Sequence, residues 1–154
     1  MKKNISLFIT DNLDEDSGFL MLRVSKLWEE AHERALKKHY DISHLQYAVL
    51  ASVHWLILHG QKEVTQIVLS QHTKINPMAI SLTLKDLEYK GYVCRKTSAA
   101  DARAKCTFIT DKGQELMQSV FVKIFAADEK FFNVLGGKRQ KFNSHMLKLL
   151  QANE

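Results

Sequence analysis

Residues 95–108 read RKTSAADARAKCTF, and the way this stretch is read decides the fold. Gly91-Tyr92-Val93-Cys94 leads into it and Cys106-Thr107-Phe108-Ile109-Thr110 leads out, two apolar runs of β-leaning composition. Between them stand the small residues Ser98-Ala99-Ala100, then charge alternating with alanine in Asp101-Ala102-Arg103-Ala104-Lys105. Such a segment has nothing to contribute to a packed core. It reads as the exposed turn of a two-stranded hairpin, whose charges are either solvated or presented to a partner.

Working outward, the chain on both sides is helical. Upstream, Asn76-Pro77 is a strong helix start, because proline at the first helical position lacks only a donor that would go unused there. That helix runs to about Lys90 and ends at Gly91. Before it, Val64-Thr65 opens a short helix with Thr65 as cap and Gln66–His72 as body, and Thr73-Lys74-Ile75 forms a tight turn. Ser43 caps an earlier helix carrying Leu45, Val49, Leu50, Val53 and Leu56, which Gly60 stops. From Phe19 to about Lys38, Leu20, Val24, Leu27, Ala31 and Ala35 recur at helical spacing. Downstream of the hairpin, Thr110-Asp111-Lys112-Gly113 starts a long helix with two apolar stripes, Leu116/Val120/Ile124/Ala127/Phe131 and Met117/Phe121/Phe125/Phe132. Asn133–Gly137 interrupts it, and Phe142, Met146, Leu149 and Leu150 mark a short final helix. A helix apolar over so wide an arc needs more than one neighbour, so the terminal helices predict a homodimer.

At 154 residues with 45% apolar content, the chain has the size and composition of one ordinary domain with a core. One Pro and six Gly exclude collagen-like and low-complexity structure. The +5 net charge suits a polyanionic partner without demanding one. Cys94 and Cys106 are too few for a secreted disulfide scaffold and lack paired CxxC spacing. The run Ile5–Ile9 is too short for a signal peptide and no stretch approaches a membrane span, so a cytoplasmic protein is expected. Residues 1–17, polar and acidic at DNLDEDS, are expected to form a loosely attached arm.

A short helix, a tight turn and a second helix is the arrangement whose second helix enters the DNA major groove, although many all-α proteins contain such a corner. The wheel of the second helix says more. Ile80, Leu84 and Leu87 face the core; at ~100° per residue, Met78, Leu82, Lys85 and Tyr89 fall opposite, with Ala79 and Ser81 on the flanks. A solvated face would be rich in Lys, Glu and Gln, whereas this one is small and apolar over two turns. Met78 and Leu82 suit thymine methyls, and Ser81 and Lys85 suit base edges or phosphates. The competing reading is that Met78 and Leu82 touch another part of the same protein.

The ordered run Ser43-x-x-Gln46, Val64-Thr65, Ile75-Asn76-Pro77-x-x-Ile80-Ser81, Leu87-Glu88-x-x-Gly91-Tyr92-Val93-x-Arg95, Asp101-x-Arg103-Ala104-Lys105 and Ile109-Thr110-x-x-Gly113 resembles the MarR family of bacterial winged-helix transcriptional regulators. The resemblance spans roughly residues 18–150. Its most specific parts are the D-x-R-A-K run and the L-E-x-x-G-Y-V-x-R run before it. It implies a mainly α fold with a small β-hairpin wing (α+β), a winged helix–turn–helix over 43–113 flanked by dimerisation helices at 18–42 and 114–154 in a single unit of 18–154. It implies a homodimer on a pseudo-palindromic double-stranded DNA operator, acting as a repressor, with helix 76–90 in the major groove and wing 95–106 in the minor groove. Arg103 would be the wing-tip arginine, and Asp101 would steady it or its neighbour. Members often release DNA when a small aromatic molecule binds between the dimer helices and the DNA-binding lobe.

The DNA-contacting set expected on these grounds is Asn76, Pro77, Met78, Ala79, Ser81, Leu82, Lys85, Arg95, Lys96, Asp101, Arg103 and Lys105. A narrow minor groove concentrates negative potential that favours a guanidinium. Ala102 and Ala104 leave clearance around Arg103, while Arg95, Lys96 and Lys105 sit at the hairpin base, within reach of phosphates. Trp28, Tyr47, His54, Trp55 and His59 lie on the helices that would border the effector cleft, and core packing accounts for them nearly as well.

A regular hairpin centred on Ala100 would set Cys94 across from Cys106, making a redox-switched wing one reading and two ordinary thiols the other. The seven histidines are scattered, and pairs such as His39/His44 fall five apart, off any common helical face. No nucleophile–base set, phosphate-cradling loop or paired carboxylates stands out, so no enzyme, no catalytic residue, no metal and no cofactor are expected. The rival to a DNA-binding regulator is a winged-helix module that docks another protein through Met78 and Leu82.

Overall fold

The computed structural model describes residues 12–99 and 101–154. The expected N-terminal arm therefore lies mostly outside the described residues. Among the described residues, six α-helices and one hairpin follow in the order α1 (Ser17–Lys37), α2 (His44–Leu58), α3 (Gln66–Thr73), α4 (Pro77–Tyr89), β1 (Val93–Thr97), β2 (Lys105–Ile109), α5 (Asp111–Phe132) and α6 (Arg139–Asn153), with 3-10 turns at Leu13–Glu15 and Asn133–Lys138. No described helix is long and apolar enough to cross a membrane.

Local chemistry sets each boundary. Helix α1 starts two residues before the expected Phe19 because Asp16 caps it, its Oδ1 accepting from Phe19 N at 2.8 Å. At α2, Ser43 and Gln46 form a full capping box, with Gln46 N donating to Ser43 Oγ and Ser43 N to Gln46 Oε1, both at 3.1 Å. Thr65 caps α3 and Asn76 caps α4, each side chain accepting a backbone N–H of the first turn. Lys74 ends α3 in the left-handed region at φ 59°, a conformation glycine would adopt at lower cost. At the start of α5, Gly113 is required by contact. A Cβ there would lie 2.1 Å from Tyr92 O and 2.8 Å from Ile109 Cγ2.

The chain divides into two compact units. In the unit of residues 35–125, Val49, Leu50 and Val53 of α2, Leu69 of α3, Ile80, Leu84 and Leu87 of α4, and Val93 of β1 make one core. Leu36, Ile42, Val120 and Ile124 make a second cluster, with Tyr40 and Tyr47 against it. The other unit comprises residues 12–34 and 126–154 among those described. There Asp128 Oδ1 accepts from Trp28 Nε1 at 2.7 Å and from His32 Nε2 at 2.9 Å. His32 is the only buried residue described in that unit, and α6 buries none.

The hairpin is antiparallel, with Cys94 opposite Phe108 and Cys106 opposite Lys96. The expectation that Cys94 faces Cys106 is therefore corrected. Ser98 N donates to Ala104 O and Ala104 N to Asp101 O, both at 2.9 Å, which centres the turn on Asp101 rather than Ala100. A one-residue shift of the turn centre moves every cross-strand pair by two. A further pairing escaped the sequence: Thr65 bridges to Cys106, and Thr107 N donates to Val64 O at 2.9 Å, so the segment before α3 acts as a third strand against β2.

Candidate nucleic-acid interface

Helix α4 is anchored along one face by Ile80, Thr83, Leu84 and Leu87, all buried. Thr83 was not foreseen: it lies on the same period, three residues after Ile80 and four before Leu87, but only apolar side chains were counted toward the buried face. On the opposite face Met78 is 73% exposed and Leu82 57% exposed, Lys85 is exposed, and Ala79 and Ser81 are half-buried beside them. No part of the described chain covers this apolar pair, so the reading that Met78 and Leu82 serve internal packing is set aside. Asn76 spends its side-chain oxygen on the cap, accepting from Met78 N at 2.8 Å. The Pro77 carbonyl accepts from Gln66 Nε2 at 2.9 Å, which locks the start of α4 to the start of α3.

Beside this face the hairpin and α3 enclose a cleft of about 430 Å³, lined by Thr65, Gln66, Ile67, Leu84, Arg95, Asp101, Arg103, Ala104 and Lys105. Gln66 and Ile67 were missed by the sequence reading, because only the packing of the hairpin against α3 brings them to the same cleft. Lys85, Lys96, Arg103 and Lys105 are exposed and make no ion pair among the described residues. Asp101 Oδ1 accepts from Arg103 N at 2.9 Å, so the aspartate steadies the arginine's backbone and leaves its guanidinium unclaimed. Lys96 lies 5.9 Å from the Phe108 ring centroid.

Arg95 behaves differently from the other cations. Its Nε and Nη2 donate to Glu88 Oε2 at 2.8 and 2.6 Å, and its backbone N donates to Glu88 Oε1 at 3.1 Å. With its side chain 14% exposed, Arg95 is held as a strut between α4 and β1. The hydrogen bond from Arg95 is the main force holding the Glu88 carboxyl below its usual range. Burial pushes the Cys106 thiol up, which disfavours thiolate chemistry in the wing.

The residues expected at an effector cleft fall into both units. Trp28 is committed to Asp128 in one. In the other, Trp55 stacks on His59 at 3.9 Å and on His72 at 5.0 Å, His54 is exposed, and Tyr47 is half-buried. His72 was not foreseen as Trp55's second partner because it sits on the next helix.

A capped helix–turn–helix with an outward small-and-apolar face, next to a hairpin carrying uncommitted cations, defines a winged-helix DNA-binding protein. Residues 38–126 match the model of the ArnR1-like winged-helix domain, and the chain belongs to that family. The HTH-type transcriptional regulator YdcH of Bacillus subtilis (strain 168) is 29% identical over 134 residues, 87% of this chain and 89% of its own length. Among solved structures, CouR from Rhodococcus jostii RHA1 bound to p-coumaroyl-CoA is 25% identical, with a TM-score of 0.74 over 93% of this chain and 94% of its own. Sco3205 from Streptomyces coelicolor, a MarR family transcriptional regulator in complex with DNA, is 20% identical with a TM-score of 0.79, covering 95% and 93%. The resemblance to MarR regulators thus holds at the level of the fold, and the chain is a member of the ArnR1-like winged-helix family.

Proposed function

We propose that the protein is a homodimeric, sequence-specific repressor that places α4 in the major groove and the 95–106 wing in the adjacent minor groove of a pseudo-palindromic operator. The observation that carries this reading is the exposed Met78/Leu82 face of α4 with Lys85, Arg103 and Lys105 around it, in no ion pair among the described residues. Met78, Ala79, Ser81 and Leu82 read bases, Lys85, Lys96 and Lys105 neutralise phosphates, and Arg103 enters the narrow groove. Support for the dimer comes from the unit of residues 12–34 and 126–154. Leu20, Met21, Val24 and Leu27 of α1 and Met146, Leu149 and Leu150 of α6 are exposed in the isolated chain, a combination that a second copy would cover. The protein works where DNA is, in the cytoplasm. A small aromatic ligand is the natural release signal: in the unit of residues 35–125 the rings of Trp55, His59 and His72 stand together, with Tyr47 and His54 on the same helix as Trp55.

Fluorescence anisotropy with duplexes from the chain's own upstream region tests the reading. Affinity should fall steeply with salt, by a log–log slope of about −0.9 per phosphate contact, and should discriminate one palindrome from scrambled competitor. Binding that ignores sequence, or a face that instead retains a protein partner with no DNA shift, would move the function to protein docking through Met78 and Leu82.

A further inference from the structure

The wing's geometry traces back to one carboxylate outside it. Glu63 lies in the segment before α3, whose neighbouring Val64 and Thr65 pair with β2. Its Oε2 accepts from Ser98 Oγ at 2.7 Å and its Oε1 accepts from Ala99 N at 2.8 Å. Ser98, itself buried, accepts from Asp101 N at 3.1 Å through the same hydroxyl. Asp101 Oδ1 then accepts from Arg103 N at 2.9 Å. Four residues thus form a continuous relay from the helix–turn–helix to the backbone of the wing-tip arginine.

We propose that Glu63 is a positioning residue for DNA binding, holding the wing through Ser98 so that Arg103 is presented at a fixed angle to α4. Electrostatics alone predicts the opposite of what this role predicts. A carboxylate beside a phosphate-binding surface repels DNA, so its presence there is a cost that only a geometric gain offsets. The carboxylate suits the role because two acceptor oxygens can hold a hydroxyl and a backbone N–H at once, fixing both position and direction. The second anchor of the hairpin, Arg95 on Glu88, sits at its base, so Glu63 is the contact that reaches the distal turn.

The proposal rests on the reading that the wing contacts DNA, and the test separates the two. Anisotropy titrations would use full-length dimer and a duplex enriched by selection on the wild-type protein, with Glu63→Ala, Ser98→Ala, Arg103→Ala and Glu63→Ala/Arg103→Ala, each checked for an unchanged melting temperature. Glu63→Ala should weaken binding about ten-fold despite removing a negative charge, and Ser98→Ala about three-fold with no charge change. In the Arg103→Ala background, Glu63→Ala should cost almost nothing further, because its effect is exerted through that arginine. If Arg103→Ala binds like wild type, the wing reading fails and takes the proposal with it. If Arg103→Ala weakens binding while Glu63→Ala leaves it equal or tighter, or if the two losses simply add, the positioning role alone is overturned. Should Glu63→Ala melt early, Ser98→Ala with Ser98→Ala/Arg103→Ala decides by the same non-additivity.

Discussion

Replacing Glu88 by alanine probes the joint between recognition helix and wing. Three hydrogen bonds converge on this one carboxylate from Arg95, at 3.1, 2.8 and 2.6 Å. A hydrogen bond to a charged group stabilises by ~1.5–3 kcal/mol when shielded, whereas an exposed ion pair contributes ~0–1 kcal/mol. Arg95's side chain is 14% exposed and Glu88's 37%, so the pair falls between those limits. Discounting for solvent at the glutamate leaves about 2 kcal/mol. In a chain of this size that lowers the melting temperature by about 4–8 °C. The effect carries a pH signature. Because Glu88's folded-state value is depressed, its stabilisation is present above the ordinary 4.5 and disappears as pH falls through the lowered folded value. Melts at pH 7 should show the full gap between wild type and Glu88→Ala, and acidification should close it. A gap under 1 °C at neutral pH, or one that persists in acid, would refute the strut. DNA affinity supplies a second check. Loss of the strut should weaken binding, whereas tighter binding would mean that the freed Arg95 is a phosphate ligand after all.

Three further substitutions bear on the fold. Gly113→Ala drives a methyl to 2.1 Å from Tyr92 O and disturbs the bond from Thr110 N to that same oxygen, so a loss of about 3 kcal/mol or more is expected in chemical denaturation. Thr107 Oγ1 is buried without a hydrogen-bond partner among the described residues, so the isosteric Thr107→Val should raise stability by about 1 kcal/mol, read as a higher urea midpoint at constant slope. Lys74→Gly relieves the left-handed backbone at φ 59° and should stabilise the helix–turn–helix by about 0.5–1 kcal/mol in the same assay.

Much of the fold was legible because its determinants are short-range. Ser43, Thr65 and Asn76-Pro77 each act within one helical turn, and each was visible as a cap before any contact was known, whereas the capping bonds of Gln46 and Thr110 were shown by the structure. The buried stripe of α4 followed from a period of 3.6, and so did its exposed Met78 and Leu82. Arg95's pairing with Glu88 was not foreseen although its partner is only seven residues away, since composition counts a cation without showing which acceptor a strand turn brings to it. Glu63 was invisible for a related reason: its partners lie 35 and 36 residues on, and no local rule ties a glutamate in a loop to a distant serine.

By itself, then, the sequence determined the order and ends of the helices, the hairpin that follows the recognition helix, and the faces each helix offers. Caps, turns and hydrophobic periods are local free energies that need no partner. Only the tertiary structure decided the hairpin's centre on Asp101, the added pairing of Val64 and Thr65 with β2, and the division of the wing's charges between struts and free cations. Those depend on which groups folding brings within hydrogen-bond reach, and a two-residue change of register redistributes all of them at once.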